Sequence, residues 1–342
     1  MNKESITLNE ARNVFLSAYL LKVSGEFGNV QKRPAVLIIP GGGYQLCSNR
    51  EADPVAMHYL AAGYHAFILR YSVAEHAGWP NPLNDYEQAM ALIRSKAAQW
   101  NVYHDKIAVV GFSAGGHLAA AAATMSKERP NAAILGYAVC GEDVKGCNPS
   151  APDTIGAVDQ NTCPCFLFST RTDGVVHVLN SIGFMKALAE HDIAFESHIY
   201  AYGPHGCSTC DSSLLSADTI ICPRTKNWVS DSIGWLRDVM GEFGENGLEP
   251  PVCKAHVNAN MEPFLSVDCT FGRLMSNVAA KATLDHLISQ AIESGDVPAE
   301  FTKDKLNSLI GKLPLREVLS FMRIDEKIIA MLDGQLRKIP ND

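Results

Sequence analysis

The sequence predicts an α/β protein: a doubly wound, mostly parallel sheet followed by a small C-terminal helical module. Three observations carry that reading. Apolar runs such as Ala35-Val36-Leu37-Ile38-Ile39 and Ile107-Ala108-Val109-Val110 lack polar alternation, as strands covered on both faces do. These runs alternate with helical patterns as far as Met240, which gives parallel strands joined by helical crossovers. Beyond Met261 no run alternates as a strand would, and short helical segments take over.

Val14 to Leu21 reads as a leading strand and Gly25 to Arg33 as the turn after it. Ala35 to Ile39 is a central strand that ends in Pro40-Gly41-Gly42-Gly43-Tyr44. Asp53-Pro54 opens a helix that runs through Leu60 and closes at Gly63, because proline suits a first helical turn. Ala66 to Tyr71 is the next strand. After a loop from Ala74 to Asn84, Tyr86, Met90, Ile93, Ala97 and Trp100 fall on one helical stripe. Lys106 to Val110 is a buried strand, and His117 to Ala123 a helix whose small side chains pack close to a sheet. A strand at Ala133 to Val139 precedes a polar excursion from Gly141 to Thr162. Strands at Pro164 to Ser169 and Phe195 to Tyr200 bracket a helix at Val178 to Glu190. A helix at Lys226 to Met240 covers the last strand.

Gly244, Asn246, Gly247, Pro250 and Pro251 then read as a linker. The expected division is a sheet domain over residues 1–242, a linker over 243–263 and a helical module over 264–342. The module's expected helices are Ser276 to Glu293, Lys303 to Ile310, Leu315 to Phe321 and Asp325 to Ile339. It is too small for a large independent core. Its stripe of Leu284, Leu287, Ile288, Ala291 and Ile292 must therefore bury against the sheet domain or a second subunit. A homo-oligomer is the expected partnership if it is the second.

Composition narrows the function classes. Of 342 residues 47% are apolar, enough for a large core and too many for a disordered chain. The net charge of -8 opposes nucleic acid and anionic membranes. Met1 to Glu10 holds charges and no apolar signal segment, and no run approaches a spanning helix, so a cytoplasmic location is expected. In that setting the ten cysteines are expected as thiols. Cys207-x-x-Cys210 has no second ligand pair at a matching spacing, so no metal is expected.

Chemistry gathers around Gly111-Phe112-Ser113-Ala114-Gly115, a G-x-S-x-G between a buried strand and a small-residue helix. A serine on so sharp a turn is exposed at the end of the sheet, and Ser113 is the candidate nucleophile. It needs a base, and the base an orienting carboxylate, each from a loop past a strand's carboxyl end. Asp173 follows one such strand, in Arg171-Thr172-Asp173-Gly174, and His205 the next, in Gly203-Pro204-His205-Gly206. His177 and His198 are rivals for the base, Asp143 and Asp153 for the acid. His198 lies within a strand and His177 opens a helix on the wrong side of Asp173. The charge that develops on a substrate oxygen needs backbone donors. Ala114 and the glycine loop, Gly42 and Gly43 included, are placed to supply them. The loop carries no Walker lysine and no G-x-G-x-x-G, which argues against a phosphate cradle. Tyr44, Trp79 and Pro80 are candidate pocket walls.

These segments resemble the α/β-hydrolase superfamily. Within it they resemble the bacterial acetyl-esterase or acetyl-xylan-esterase-like branch near the hormone-sensitive-lipase group. The resemblance is carried by the glycine loop, Arg50-Glu51-Ala52-Asp53-Pro54-Val55-Ala56, Leu69-Arg70-Tyr71-Ser72-Val73, Gly111 to His117, Asp173-Gly174-Val175-Val176 and Gly203-Pro204-His205-Gly206. It spans about Val14 to Met240. It implies the α/β-hydrolase fold and a cofactor-free serine esterase acting on short-chain, acetyl-type esters, often on sugars. It also implies Ser113, Asp173 and His205 as the triad, with Gly42, Gly43 and Ala114 as the oxyanion hole. Pro40 stands where lipase-type relatives carry histidine, which favours the sugar-acetylesterase branch. His177 stands where relatives often carry proline, which bears on substrate contacts. Two alternatives differ in what they require. A small serine peptidase on this fold brings a propeller or cap domain, and a non-catalytic binding protein has no use for the serine.

Overall fold

The computed structural model describes residues 1–293 and 310–341, apart from the side chains of 286–293. They fall into two compact units, Met1–Ala255 and His256–Asp342. In the first, eight strands form one sheet: β1 (Asn2–Asn9), β2 (Val14–Leu20), β3 (Arg33–Ile39), β4 (His65–Arg70), β5 (Val102–Phe112), β6 (Ala132–Gly136), β7 (Cys165–Thr170) and β8 (Phe195–Tyr200). The helices between and after them are α1 (Asp53–Ala61), α2 (Asn81–Ser95), α3 (Ala97–Trp100), α4 (Ser113–Met125), α5 (Leu179–Glu190) and α6 (Trp228–Met240). The strand order is β1-β2-β4-β3-β5-β6-β7-β8. β2 runs antiparallel to β1 and β4, and the remaining neighbours are parallel.

The uninterrupted apolar runs are explained by two cores, one on each face. Leu37, Val109, Leu135 and Leu167 point to the face covered by α2, α4 and α5. Their neighbours Ile38, Val110, Ile134 and Phe168 point to the face covered by α1 and α6. Side chains alternate along a strand, so a strand buried on both faces must be apolar at every position. Pairing brings Ile39 of β3 level with Gly111 of β5. The glycine loop and the serine turn therefore leave the sheet side by side.

Three differences from the sequence reading have physical causes. β1 was not expected, because only Ile6 and Leu8 on it pack against the core, and partly at that. It is an edge strand held by its ladder to β2 rather than by burial. β5 starts four residues before the expected Lys106, behind the exposed His104 and Asp105 and a register shift between Arg33 and Ala35 of β3. The stripe from Tyr86 to Trp100 is buried as expected, but it is shared by two helices that part at Lys96.

Residues 243–263 do not form a separate linker. Phe243–Gly244 and Gly247–Leu248 pair as a small hairpin, its two glycines facing each other across the Glu245–Asn246 turn, with Gly247 at φ 105°. The Cys253 N–H donates to the Asp238 carbonyl at 2.8 Å, and the Ala194 N–H to the Ala255 carbonyl at 2.9 Å. The first unit thus extends to Ala255. From His256 the chain belongs to the second unit, where the Asn341 N–H donates to the Pro263 carbonyl at 3.0 Å.

That unit holds helices Phe271–Ser276, Val278–Glu293, Leu315–Phe321 and Glu326–Leu336. Its core contains Leu265, Phe271, Leu274, Leu284, Ile329 and Leu332. Thr270 and Asp325 cap two of these helices, their side chains accepting the N–H groups of Arg273 and Lys327. Of the helix expected at Lys303 to Ile310, residues 303–309 lie outside the described residues, as do the side chains of Leu287, Ile288, Ala291 and Ile292. All ten cysteines are free thiols. Among the described residues no helix is long and apolar enough to cross a membrane.

Candidate active site

Ser113 sits at the junction of β5 and α4 with φ 53°, the left-handed region that a residue with a Cβ seldom occupies. Close packing on all sides fixes it there. A methyl group on Gly111 would meet the Gly115 carbonyl and lie 2.6 Å from the Ala119 Cβ. One on Gly115 would strike the carbonyls of Ile39 and Pro40, and one on Gly116 would come 2.5 Å from the Ala138 Cβ. Only hydrogen fits where β3, β5 and α4 converge.

The loops after β7 and β8 deliver the other two groups. The His205 Nε2 lies 2.8 Å from the Ser113 Oγ, and its Nδ1 lies 2.7 Å from the Asp173 Oδ2. An aspartate without a proton only accepts, so Nδ1 carries the hydrogen and Nε2 faces the serine hydroxyl as acceptor. The Asp173 Oδ1 accepts the N–H groups of Val175 and Val176 at 2.8 and 2.9 Å. Burial opposes ionisation of Asp173, but His205 and these two donors outweigh it and hold the carboxyl below its usual range. Thr170 and Thr172 bind the two loops together: both hydroxyls donate to the Gly203 carbonyl, at 2.7 and 3.2 Å.

The rival residues lie elsewhere. His177 is exposed and its Nδ1 accepts the Leu179 N–H. His198 pairs with Glu196 at 2.9 Å. Asp143 accepts from Asn180, and Asp153 from the N–H groups of Ile155 and Gly156.

The glycine loop runs beside Ser113. The Gly41 N–H is taken by the Glu51 Oε2 at 2.8 Å. Gly42 and Gly43 have φ 133° and 60°, and among the described residues no acceptor takes their N–H groups. Ala114 lies in the first turn of α4, where N–H groups have no acceptor within the helix. Gly42 and Gly43 in this loop, and Ala114 at the positive end of α4, thus carry N–H groups that no acceptor takes among the described residues.

Of the three candidate pocket walls, Tyr44 has no exposed surface. It lies behind the loop, its hydroxyl donating to the His117 Nδ1 at 2.7 Å. Trp79 packs edge-on against the same histidine at 5.6 Å and is half-buried, and Pro80 is exposed. The sequence gives no hint of His117 as a hub. One helical turn beyond Ser113, it ties Tyr44 to the excursion after β6 by donating its Nε2–H to the Pro152 carbonyl at 2.8 Å.

Burial pushes the His117 pKa down to about 4, and that of His65, at the start of β4, likewise to about 4. Both values lie below the ordinary histidine value near 6.5, so the neutral rings contribute stability above that pH. The contribution is lost as pH falls from about 6.5 to about 4, because the unfolded chain takes up the protons first. Stability is expected to fall by about 2 kcal/mol per pH unit near pH 5. Urea titrations at pH 7, 6 and 5 measure it, and equal unfolding free energies at all three would refute it.

Comparison with known proteins agrees with the fold. The family model described as BD-FAE matches residues 26–134, a span that includes the glycine loop and Ser113. Among solved structures, MGS-M1, an α/β-hydrolase enzyme from a Medee basin deep-sea metagenome library, is 43% identical with a TM-score of 0.66. The match covers 70% of this chain and 98% of that one. Endo-1,4-beta-xylanase B of Butyrivibrio fibrisolvens is 32% identical over 216 residues, 54% of this chain and 34% of its own. The acetylxylan esterase of Xylanibacter ruminicola is 31% identical over 195 residues, 50% of this chain and 40% of its own. This chain therefore spans well under half of either curated relative. Sheet order, serine turn and near-complete overlap with a solved relative lead to one conclusion: the chain belongs to the α/β-hydrolase superfamily.

Proposed function

We propose that this chain is a serine esterase that hydrolyses short-chain esters, acetyl groups on sugars or oligosaccharides foremost. The observation that carries the chemistry is the unbroken relay from the Ser113 Oγ to His205 at 2.8 Å and on to Asp173 at 2.7 Å. In the first step the Ser113 oxygen bonds to the ester carbonyl carbon while His205 takes the hydroxyl proton. The N–H groups of Gly42, Gly43 and Ala114 stabilise the oxyanion, and each such donor is worth ~10²–10³ in rate. The carbon–oxygen bond to the alcohol then breaks, His205 returns its proton to the leaving oxygen, and an acyl-serine remains. Water, deprotonated by His205, attacks that acyl group; the acid leaves and Ser113 regains its proton. Asp173 holds the imidazole in the tautomer each step needs and offsets the charge it acquires.

The substrate class rests on other grounds. Pro40 before the three glycines suits the sugar-acetylesterase branch, and the chain has no long apolar insertion to form a lipid-type lid. The relatives named as an acetylxylan esterase and a xylanase support a carbohydrate ester. Tested on p-nitrophenyl esters, kcat/KM is expected to be at least ~10-fold higher for acetyl and propionyl than for octanoyl, roughly the energy of one to two methylenes in a pocket. Acetate release from acetylated xylo-oligosaccharides tests the alcohol side. Efficiency that climbs with acyl length would reject the short-chain assignment. Cleavage of peptide anilides but not esters would make the chain a peptidase.

A further inference from the structure

One buried acid beside the site has no part in the steps above. Glu51 is 4% exposed, just ahead of α1, and both of its carboxylate oxygens are engaged. The Oε2 accepts the Gly41 N–H at 2.8 Å, and the Oε1 accepts the Tyr137 hydroxyl at 2.7 Å. The Tyr137 oxygen in turn accepts the Ser208 N–H at 3.0 Å. Ser208 follows His205 by three residues, and its own hydroxyl donates to the Arg50 carbonyl at 2.5 Å. The Tyr137 ring stands edge-on to the His205 ring, centroids 5.0 Å apart. The network closes on itself, and it joins the glycine loop to the loop that carries the base.

A carboxylate taken out of water is tolerated only where hydrogen bonds replace its hydration. Here the replacements come from two loops that must both be in register with Ser113. Gly41 abuts that residue: a methyl on it would lie 2.9 Å from the Ser113 Cβ and 2.6 Å from the Phe112 carbonyl oxygen. Turning the Gly41 peptide would therefore re-aim the N–H groups of the next two glycines.

We propose that Glu51 is a positioning residue that locks the Gly41 peptide and, through Tyr137, the His205 loop, so that oxyanion donors and base face Ser113 together. The proposal rests on the esterase reading of Ser113, His205 and Asp173. Its chemistry distinguishes a carboxylate from an amide. Two donors point at Glu51, and Glu51→Gln offers one oxygen and one NH₂ group. If the oxygen keeps the Gly41 N–H, the NH₂ meets a phenol oxygen that already accepts from Ser208, and the phenol proton loses its acceptor.

The test measures kcat and KM separately, with inhibition by an aryl trifluoromethyl ketone. That ketone forms a tetrahedral adduct on the Ser113 oxygen and so reads the oxyanion site directly. Glu51→Gln is expected to lower kcat about 10-fold and to weaken ketone inhibition by a similar factor, with KM within about 3-fold. Glu51→Ala should lose about 10²-fold. If that variant fails to fold, Tyr137→Phe serves, because it keeps the ring and removes only the hydroxyl. In a double-mutant cycle its effect should be less than additive with Glu51→Gln. A Glu51→Gln enzyme whose thermal midpoint drops while kcat and ketone affinity stay within 2-fold of wild type would overturn the proposal. So would a loss confined to KM. Turnover that survives Ser113→Ala overturns the esterase reading itself. Turnover lost there, with Glu51→Gln unchanged, overturns the positioning role alone.

Discussion

Ser113→Ala is expected to lower kcat on p-nitrophenyl acetate by on the order of 10⁴-fold or more while leaving the thermal midpoint almost unchanged. Without the hydroxyl no acyl-enzyme forms, and the remaining donors and base can only assist direct attack by water. The fold should hardly register the change. Alanine occupies the same left-handed backbone as serine, and what is lost is one half-buried hydrogen bond to His205, about 1 kcal/mol. His205→Ala should fall by a comparable factor, and the exposed His177→Ala by less than about 3-fold. A Ser113→Ala enzyme that keeps a tenth of its activity would end the nucleophile assignment.

The second large effect is on stability and comes from a single methyl group. Gly115→Ala drives a Cβ into the backbone carbonyls of Ile39 and Pro40, neither of which can swing aside as a side-chain end could. Either α4 lifts away from β3 or the carboxyl end of β3 bends. Both disturb the point where β3, β5 and α4 meet. The expected destabilisation is about 3 kcal/mol or more, a fall of roughly 10 °C in thermal midpoint for a domain of this size. Gly43→Ala is the comparison. Its Cβ would meet nothing within 4 Å, so only the backbone at φ 60° resists, at about 1 kcal/mol. If differential scanning calorimetry ranks the two variants the other way, packing is not what demands glycine at 115.

Much of this molecule is legible in one dimension. Strands buried on both faces announce themselves as unbroken apolar runs, and β3 to β7 fall where such runs lie. The serine turn is equally plain, because its tight geometry excludes side chains at fixed spacings from Ser113. Asp173 and His205, which the structure brings to Ser113, are proposed from their order and from their positions past β7 and β8. β1 was hidden because hydrogen bonding to a neighbour, rather than an apolar face, keeps it in the sheet. The hairpin after α6 was hidden because its glycines look the same whether they turn a chain or loosen it. Glu51 and Tyr137 were beyond reach for another reason. They lie 86 residues apart, and a buried acid before a helix cannot be told from a solvated one until its donors are in place.

The backbone at position 113 sets local stability against the hydroxyl that the proposed chemistry uses. The left-handed backbone there taxes any residue with a Cβ by about 1–2 kcal/mol, a tax glycine escapes and asparagine softens. Glycine there would relieve the backbone and remove the hydroxyl, so in the proposed chemistry local stability and turnover pull against each other at this one residue.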